Sequence, residues 1–179
     1  MNHEFVITDA RESFLHDNSI DLFLMHPPYF HIEHTRYGRA DLQINKEHVY
    51  KKYVKSLQKI IKNCEQALVP GGTILIMVPT NQPTLFVDLL HYVDHKTKLT
   101  VNPPFIWSNY DEEREKGVPM FTQQNIVVLN MSKGDAKVNA EFVKDHNNLI
   151  VNIPWDPTTL VKDYSTIAFV ADAMPVEIA

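Results

Sequence analysis

Cysteine, glycine and long apolar runs are scarce in this sequence of 179 residues. The single cysteine, Cys64, excludes an internal disulfide framework. No apolar run approaches the roughly 20 residues that a membrane-spanning helix needs, so we predict that this is not a membrane protein. The N-terminus lacks the basic and apolar segments of a signal peptide, and we therefore expect a cytoplasmic location.

Basic charge is also limited. Lysine and arginine total 17 against 22 aspartate and glutamate residues, which gives a formal net charge of −5 at pH 7. This balance excludes the overall basicity of a free-standing nucleic-acid-binding protein, so any role on DNA must depend on local features. With 44% hydrophobic and 22% charged residues, the chain suits one compact domain over residues 1–179 and is not intrinsically disordered.

The order of apolar patterns predicts an α/β domain with a mostly parallel sheet. Apolar residues at three-and-four spacing predict a long amphipathic helix over residues 45–68, closed by the Pro-Gly-Gly of residues 70–72, and a second helix over residues 83–93. A helix that connects two strands is the crossover typical of parallel sheets. Strands are predicted over residues 5–7, 20–25, 73–78, 105–107, 125–131 and 149–151.

The connecting segments carry weaker signals. We predict one or two helical turns over residues 9–15 and a tight turn at residues 17–19. Loops are expected over residues 111–116 and 154–157, and residues 175–179 have the pattern of a helix cut short.

The end of the second predicted strand carries the clearest site signal. His26-Pro27-Pro28-Tyr29 follows the apolar run directly, and open parallel sheets bind ligands at the carboxyl ends of their strands. Two prolines fix the backbone and remove two amide donors, which leaves carbonyl oxygens and the His26 side chain to face a ligand. A base extruded from a duplex needs an acceptor for its exocyclic amine and an aromatic wall, such as Tyr29. The alternative is a Pro-Pro loop that only terminates the strand.

This tetrad resembles the Asp/Asn/Ser-Pro-Pro-Tyr/Phe signature of the S-adenosylmethionine-dependent amino-methyltransferases, which methylate the exocyclic amine of adenine or cytosine. The resemblance extends to Thr8-Asp9-Ala10 and residues 18–22 before the tetrad, and to the helix-to-strand turn of residues 67–76 after it. Residues 105–108 and 126–133 resemble two later strands, so nearly the whole chain is covered. The order of the motifs, with the tetrad first, is that of the β-class DNA enzymes.

The resemblance implies a fold, a reaction and a set of catalytic residues. The implied fold is a three-layer, Rossmann-like methyltransferase fold, complete or lacking its cofactor-binding part. The implied reaction is methyl transfer to DNA with S-adenosylmethionine as cofactor. The implied catalytic residues are His26, Pro27, Pro28 and Tyr29: His26 and the Pro27 carbonyl orient the target amine, and Tyr29 stacks on the flipped base.

His26 is the first departure from the family pattern, because the family usually carries Asp, Asn or Ser at this position. The usual residue accepts a hydrogen bond from the target amine. A neutral imidazole also accepts one, but its tautomer must be correct, and protonation near a pKa of about 6.5 would abolish acceptance. His26 therefore either supports catalysis in this way or only caps the strand end.

The second departure is a missing glycine-rich turn. The sequence has no Phe-x-Gly-x-Gly motif, which in the family cradles the methionine part of the cofactor. In β-class enzymes this turn follows a segment that residues 171–179 resemble, so the chain stops where the turn is expected to begin. The cofactor-binding residues that the resemblance implies are Asp9, His26, Met174 and Pro175. Either a second polypeptide supplies the cofactor-binding half, or the chain no longer binds the cofactor by this route. A homo-oligomer is the other partner state that we consider.

Two other clusters have competing interpretations. Residues 102–105, Asn-Pro-Pro-Phe, repeat the tetrad signature but follow a half-polar stretch, so they are a second candidate tetrad or a structural loop. His31, Glu33 and His34 lie near His26, but their spacing is not that of a zinc protease and no cysteine cluster accompanies them. We predict no metal site.

The long helix is basic although the chain is acidic. This face could contact phosphates or an acidic partner, or it is simply solvated. Arg36, Tyr37 and Arg39 follow the tetrad and could contact a DNA backbone. The lysines of the helix region are at positions 46, 51, 52, 55, 59 and 62.

Two functions therefore follow from the sequence. The first is a methyltransferase, or its catalytic half, that acts on DNA bases. The second is a catalytically degenerate methyltransferase-like module with a binding or structural role, since a fold does not guarantee a function. The intact Pro-Pro-Tyr favours the first, whereas His26 and the missing glycine-rich turn favour the second. We predict a protein of the methyltransferase lineage that acts with another chain.

Overall fold

A computed structural model of the chain describes residues 9–12, 15–27, 30, 49–79, 82–107, 126–134, 150–151 and 166–171. In chain order these residues form β1 (Ile20–His26), α1 (Tyr50–Ala67), β2 (Leu68–Pro79), α2 (Pro83–Lys96), β3 (Thr100–Trp107), β4 (Ile126–Ser132), β5 (Ile150–Val151) and β6 (Ile167–Ala171).

The strands form one sheet in the order β5-β3-β4-β2-β1-β6. β1 pairs in parallel with both β2 and β6, and β3 pairs in parallel with β5. β4 is antiparallel to both of its neighbours, β2 and β3. The sheet is therefore mostly but not entirely parallel, and the predicted α/β architecture is confirmed.

The core lies where the two helices pack on the central strands. β1 and β2 are almost continuously apolar and buried, as expected for parallel strands covered on both faces. α1 turns an apolar face toward the sheet and leaves its lysines outside, which is the amphipathic pattern that the sequence predicts. Cys64 lies on this buried face, and burial raises the pKa of its thiol to about 12. The buried residues of α1 are Tyr53, Val54, Leu57, Ile60, Ile61, Cys64, Glu65 and Ala67.

The junction between α1 and β2 differs from the prediction. The helix ends at Ala67 and β2 begins at Leu68, so the Pro-Gly-Gly of residues 70–72 lies inside the strand rather than at the helix end. The register passes from Ile20 opposite Leu68 to Leu22 opposite Thr73, which means that β2 bulges between these pairs. Glycine suits this bulge because Gly71 has a φ of +80°.

Other predictions are confirmed, extended or corrected. Both helices are confirmed, although α1 begins at Tyr50, five residues later than predicted, and α2 continues three residues beyond its predicted end at residue 93. The sequence pattern predicts one or two helical turns over residues 9–15. Instead, Glu12 N–H donates to Asp9 O at 2.8 Å, and residues 10 and 11 form a tight turn. Asn18, with a φ of +52°, confirms the turn at residues 17–19. The predictions for residues 5–7, 111–116, 154–157 and 175–179 lie outside the described residues.

β6 is not among the strands predicted from the sequence pattern. Its run of five residues is short and has no flanking glycine or proline as a boundary signal. Pairing with β1 over five register positions stabilises it as a strand.

Of the helices in the described ranges, none combines the length and the apolar character needed to cross a membrane.

Lys133 joins the end of β4 to the end of α1. Its Nζ donates to the carbonyl oxygens of Leu68 at 2.7 Å and Glu65 at 3.1 Å, and to Asn18 Oδ1 at 3.0 Å. A cation at the carboxyl end of a helix also interacts favourably with the helix dipole. One side chain thus ties the helix, the bulged strand and the turn before β1 together.

We expect Lys133→Met to destabilise the protein by about 1–3 kcal/mol, because three acceptors lose a charged donor. Lys96→Met is the matched control, since Lys96 is exposed at the end of α2, and it should change the free energy of unfolding by less than about 0.5 kcal/mol. Urea unfolding monitored by circular dichroism measures both. Equal stabilities of the two variants would contradict this role of Lys133.

Candidate functional site

The carboxyl edge of the sheet is the edge at which β1, β2 and β6 end. His26, the last residue of β1, lies opposite Ala171 of β6, and Met25 lies opposite Ile76 of β2. Parallel neighbours on both sides hold the end of β1 in a fixed register. Pro27 follows directly and is buried. The first two residues of the predicted tetrad therefore lie at the edge where open α/β sheets bind ligands.

His26 is partly buried at this edge. Desolvation lowers its pKa below the ordinary value of 6.5, because burial disfavours the charged imidazolium. The imidazole is therefore neutral at pH 7. A neutral imidazole has one nitrogen that accepts a hydrogen bond, which is the chemistry that the first tetrad position needs.

An aromatic cluster anchors the chain after the tetrad to the start of α1. The Phe30 ring lies 5.4 Å from that of Tyr50 and 5.3 Å from that of Tyr53, measured between centroids, with interplanar angles of 73° and 41°. Tyr50 Oη donates to Asp88 Oδ2 of α2 at 2.8 Å. Burial and this neighbouring carboxylate raise the pKa of Tyr50. The cluster fixes Phe30, one residue beyond the tetrad, against α1, and Tyr50 joins this end of α1 to α2.

Gln82 is a second anchor, and it is not among the predicted site residues. Its Nε2 donates to the Phe30 carbonyl oxygen at 3.0 Å, which links the segment after β1 to the segment after β2. Its Oε1 is buried and has no hydrogen-bond partner among the described residues. A polar residue between the end of a buried strand and Pro83 at the start of α2 is the sequence signal that could have revealed it.

Asp9, the predicted cofactor contact, is engaged by Arg11. Its two carboxylate oxygens accept hydrogen bonds from the Arg11 guanidinium, with Arg11 Nη2 to Asp9 Oδ2 at 2.6 Å. The hydrogen bonds from Arg11 lower the pKa of Asp9 more than burial raises it. Asp9 is therefore a carboxylate with a strong local partner.

Asp9 and the tetrad lie beside different halves of α1. Asn63 Nδ2 donates to the carbonyl oxygen of Ala10 at 3.0 Å, so the turn that contains Asp9 packs near the end of the helix. Phe30 packs on Tyr53, ten residues earlier and about 15 Å away along the helix axis. The described residues do not bring Asp9 against the helix end that flanks the tetrad.

The second candidate tetrad, residues 102–105, lies within β3 rather than in a loop. Asn102 Nδ2 donates to Ser132 Oγ of the adjacent strand at 3.1 Å. The register with β4 shifts between Asn102 and Phe105, as expected where two prolines remove ladder donors. Asn102 and Phe105 are paired with β4 inside the sheet, so this segment does not follow the end of a strand as the first tetrad does, which favours the structural interpretation.

Several predicted site residues lie outside the described residues. They are Pro28, Tyr29, His31, Glu33, His34, Arg36, Tyr37, Arg39, Met174 and Pro175. Within the ranges that the structure describes, no group of three histidine, cysteine, aspartate or glutamate side chains could hold a metal ion.

Comparisons with known proteins agree with this architecture. The family model described as DNA methylase, of the N6/N4 type, matches residues 20–175. A search of curated protein sequences gives no match.

Solved methylase structures share the fold. TTHA0409 from Thermus thermophilus, assigned as a DNA modification methylase, is 18% identical, with a TM-score of 0.57, over 94% of this chain and 88% of that one. Its complex with S-adenosyl-L-methionine is 21% identical, with a TM-score of 0.50, over 86% and 70%. The cytosine-N4-specific PvuII DNA methyltransferase is 16% identical, with a TM-score of 0.55, over 83% of this chain and 56% of that one. At these identities the likeness concerns the fold, which is the predicted Rossmann-like methyltransferase fold.

We expect the His26 imidazole to titrate below pH 6.5, because desolvation lowers its pKa in the folded protein. The unfolded chain then binds a proton at this residue more readily than the folded one. Neutral His26 therefore makes its full contribution to the free energy of unfolding above pH 6.5. This contribution is lost as the pH falls toward the pKa of His26 in the folded protein.

Proton NMR of the imidazole rings across a pH series measures this pKa. His26→Asn identifies the His26 resonance by its disappearance and should flatten the acid side of the stability profile. A His26 midpoint at or above 6.5 would contradict the neutral imidazole.

Proposed function

Because the chain belongs to the DNA methylase family of the N6/N4 type, we propose that it transfers a methyl group from S-adenosylmethionine to the exocyclic amine of adenine or cytosine in DNA. The observation that carries this proposal is the position of His26 and Pro27 at the carboxyl edge, where β1 is held between β2 and β6. Two relatives of the same fold support it: one was solved with S-adenosyl-L-methionine, and the other is a cytosine-N4-specific enzyme.

His26 orients the target amine in this proposal. One N–H of the amine donates to the neutral imidazole nitrogen, which turns the nitrogen lone pair toward the methyl donor. Since burial lowers the pKa of His26, the acceptor persists at neutral pH. An Asp, Asn or Ser at this position would accept the same hydrogen bond, so His26 preserves the function with a different group.

The prolines and Tyr29 hold the base. Pro27 has no amide hydrogen and therefore offers only its carbonyl oxygen, a second acceptor for the amine. Tyr29, which lies outside the described residues, provides the ring on which the flipped base stacks. Methyl transfer depends on alignment and on exclusion of water more than on acid-base catalysis, so a rigid platform suits the reaction.

The described residues fit the cofactor through their acceptors. S-adenosylmethionine, when bound, supplies an electrophilic methyl group on a positively charged sulfur, and its amino and hydroxyl groups are donors. Gln82 Oε1 is a buried acceptor with no partner among the described residues, and it belongs to the side chain that anchors Phe30 beside the tetrad. Gln82 and the backbone at Pro27 would hold donor groups of the cofactor or base.

The remaining cofactor contacts stay predictions. Asp9 would reach the cofactor only through lone pairs that Arg11 does not use, since both of its oxygens already accept from that guanidinium. Met174 and Pro175 are predicted from the family pattern alone. A second polypeptide is the predicted source of a glycine-rich turn, and a homo-oligomer is the predicted alternative to such a partner.

We expect wild type to bind S-adenosylmethionine with micromolar affinity, about 8 kcal/mol, in a calorimetric titration. Tyr29→Ala should bind it equally well, because the proposal assigns Tyr29 to the base and not to the cofactor, but should transfer labelled methyl groups to DNA about 5- to 150-fold more slowly. That range corresponds to a stacking energy of about 1–3 kcal/mol per base.

Tyr29→Phe is the matched control, since it keeps the ring, and it should retain most of the transfer rate. Equal transfer rates for Tyr29→Ala and wild type would contradict the role of Tyr29 in stacking on the base. No binding heat with wild type at several temperatures would mean that this chain alone does not form the pocket, and would direct attention to a polypeptide with the glycine-rich turn.

A further inference from the structure

One face of α1 carries five exposed lysines. Successive residues of a helix differ by about 100°, which places all five within an arc of about 100°, opposite the buried face of the helix. We call this surface the lysine face. Glu65 is the only acidic residue of α1, in a chain whose net charge is −5. The residues of the lysine face are Lys51, Lys52, Lys55, Lys59 and Lys62.

The two ends of the lysine face differ in their electrostatic surroundings. Lys62 pairs with Glu65 at 2.6 Å, and the charge of Lys59 acts on Asp9. In contrast, the first three lysines make no ion pair or side-chain hydrogen bond within the described part of the chain. Their positive charge is thus concentrated at the start of the helix, and no carboxylate of the described residues forms an ion pair with it there.

The start of α1 lies beside the candidate site. Tyr50 and Tyr53, which lie in the first two turns of α1 like the three lysines, contact Phe30, one residue beyond the tetrad. Lys51 and Lys55 are one turn apart, about 6 Å along the axis. Neighbouring phosphates of one DNA strand rise by about 3.4 Å per nucleotide, so two lysines at this spacing span about two nucleotides.

From this geometry we infer that Lys51, Lys52 and Lys55 bind the phosphate backbone of the DNA whose target base enters the site at the carboxyl edge. The inference rests on the proposed function for the identity of the ligand, and it adds the surface that holds the ligand. These contacts are independent of base sequence, because phosphates carry no sequence information. They position the strand, while the tetrad acts on the base.

The test compares two double variants that remove the same charge. Lys51→Gln/Lys55→Gln neutralises the start of the lysine face, and Lys96→Gln/Lys98→Gln neutralises two exposed lysines at the opposite edge of the sheet, where α2 ends. Fluorescence anisotropy with a labelled duplex gives the DNA affinity at several salt concentrations. Circular dichroism melts verify that both variants are folded.

The expected result is that DNA binding depends less on salt in the Lys51/Lys55 variant, and in that variant alone. The slope of log K against log salt should become shallower by about 1.8, since each phosphate contact contributes about 0.9. The affinity at low salt should fall by at least about tenfold, while the Lys96/Lys98 variant should match wild type in both measures.

Other outcomes separate this inference from the proposed function. If wild type binds DNA and both variants bind like wild type, or weaken equally, the phosphate-binding role of the lysine face is wrong while the methyltransferase proposal stands. If wild type does not bind DNA, both are wrong. If wild type shows lysine-dependent binding but transfers no methyl group, the surface is confirmed and the proposed reaction fails.

Discussion

The parallel pairing of β1 with β2 on one side and β6 on the other is the constraint on which the rest of the structure depends. It fixes where β1 ends, and therefore where His26 and Pro27 lie. A slip of one residue would exchange the faces of every side chain in this strand. The buried side chains of Leu22, Phe23 and Met25 oppose such a slip, so the same apolar residues that form the core also position the site.

The segment that follows β1 is held from two directions. Phe30 packs on aromatic rings of α1, and Gln82 binds its carbonyl oxygen from the start of α2. Both anchors lie at the carboxyl edge, and both helices begin there. The site is thus built on rigid elements, which suits a reaction that depends on alignment. Desolvation at the same edge keeps His26 neutral, so the packing also sets the chemistry of the first tetrad position.

Much of this could be predicted from the sequence because the signals are local. The three-and-four spacing of α1 and the apolar runs of β1 and β4 are properties of short windows, and the tetrad is adjacent to the strand that presents it.

The features that were not predicted depend on contacts between distant segments. β6 is stabilised by pairing with β1, and the Gln82 anchor joins two residues 52 positions apart. The Pro-Gly-Gly of residues 70–72 is a pattern typical of a helix end. In the structure it lies in a bulge of β2, because the residues on both sides of it pair with β1. The second candidate tetrad, residues 102–105, matches the signature in sequence, whereas in the structure it is part of β3 and does not follow the end of a strand.

The central claim is that a base amine receives the methyl group at the carboxyl edge of this sheet. The most direct measurement is the identity of the methylated base after incubation of the chain with DNA and S-adenosylmethionine labelled in its methyl group. After digestion to nucleosides, chromatography separates the possible products. The account predicts that the label is in N6-methyladenine or N4-methylcytosine. Label in 5-methylcytosine, or no label although both DNA and cofactor bind, would contradict it.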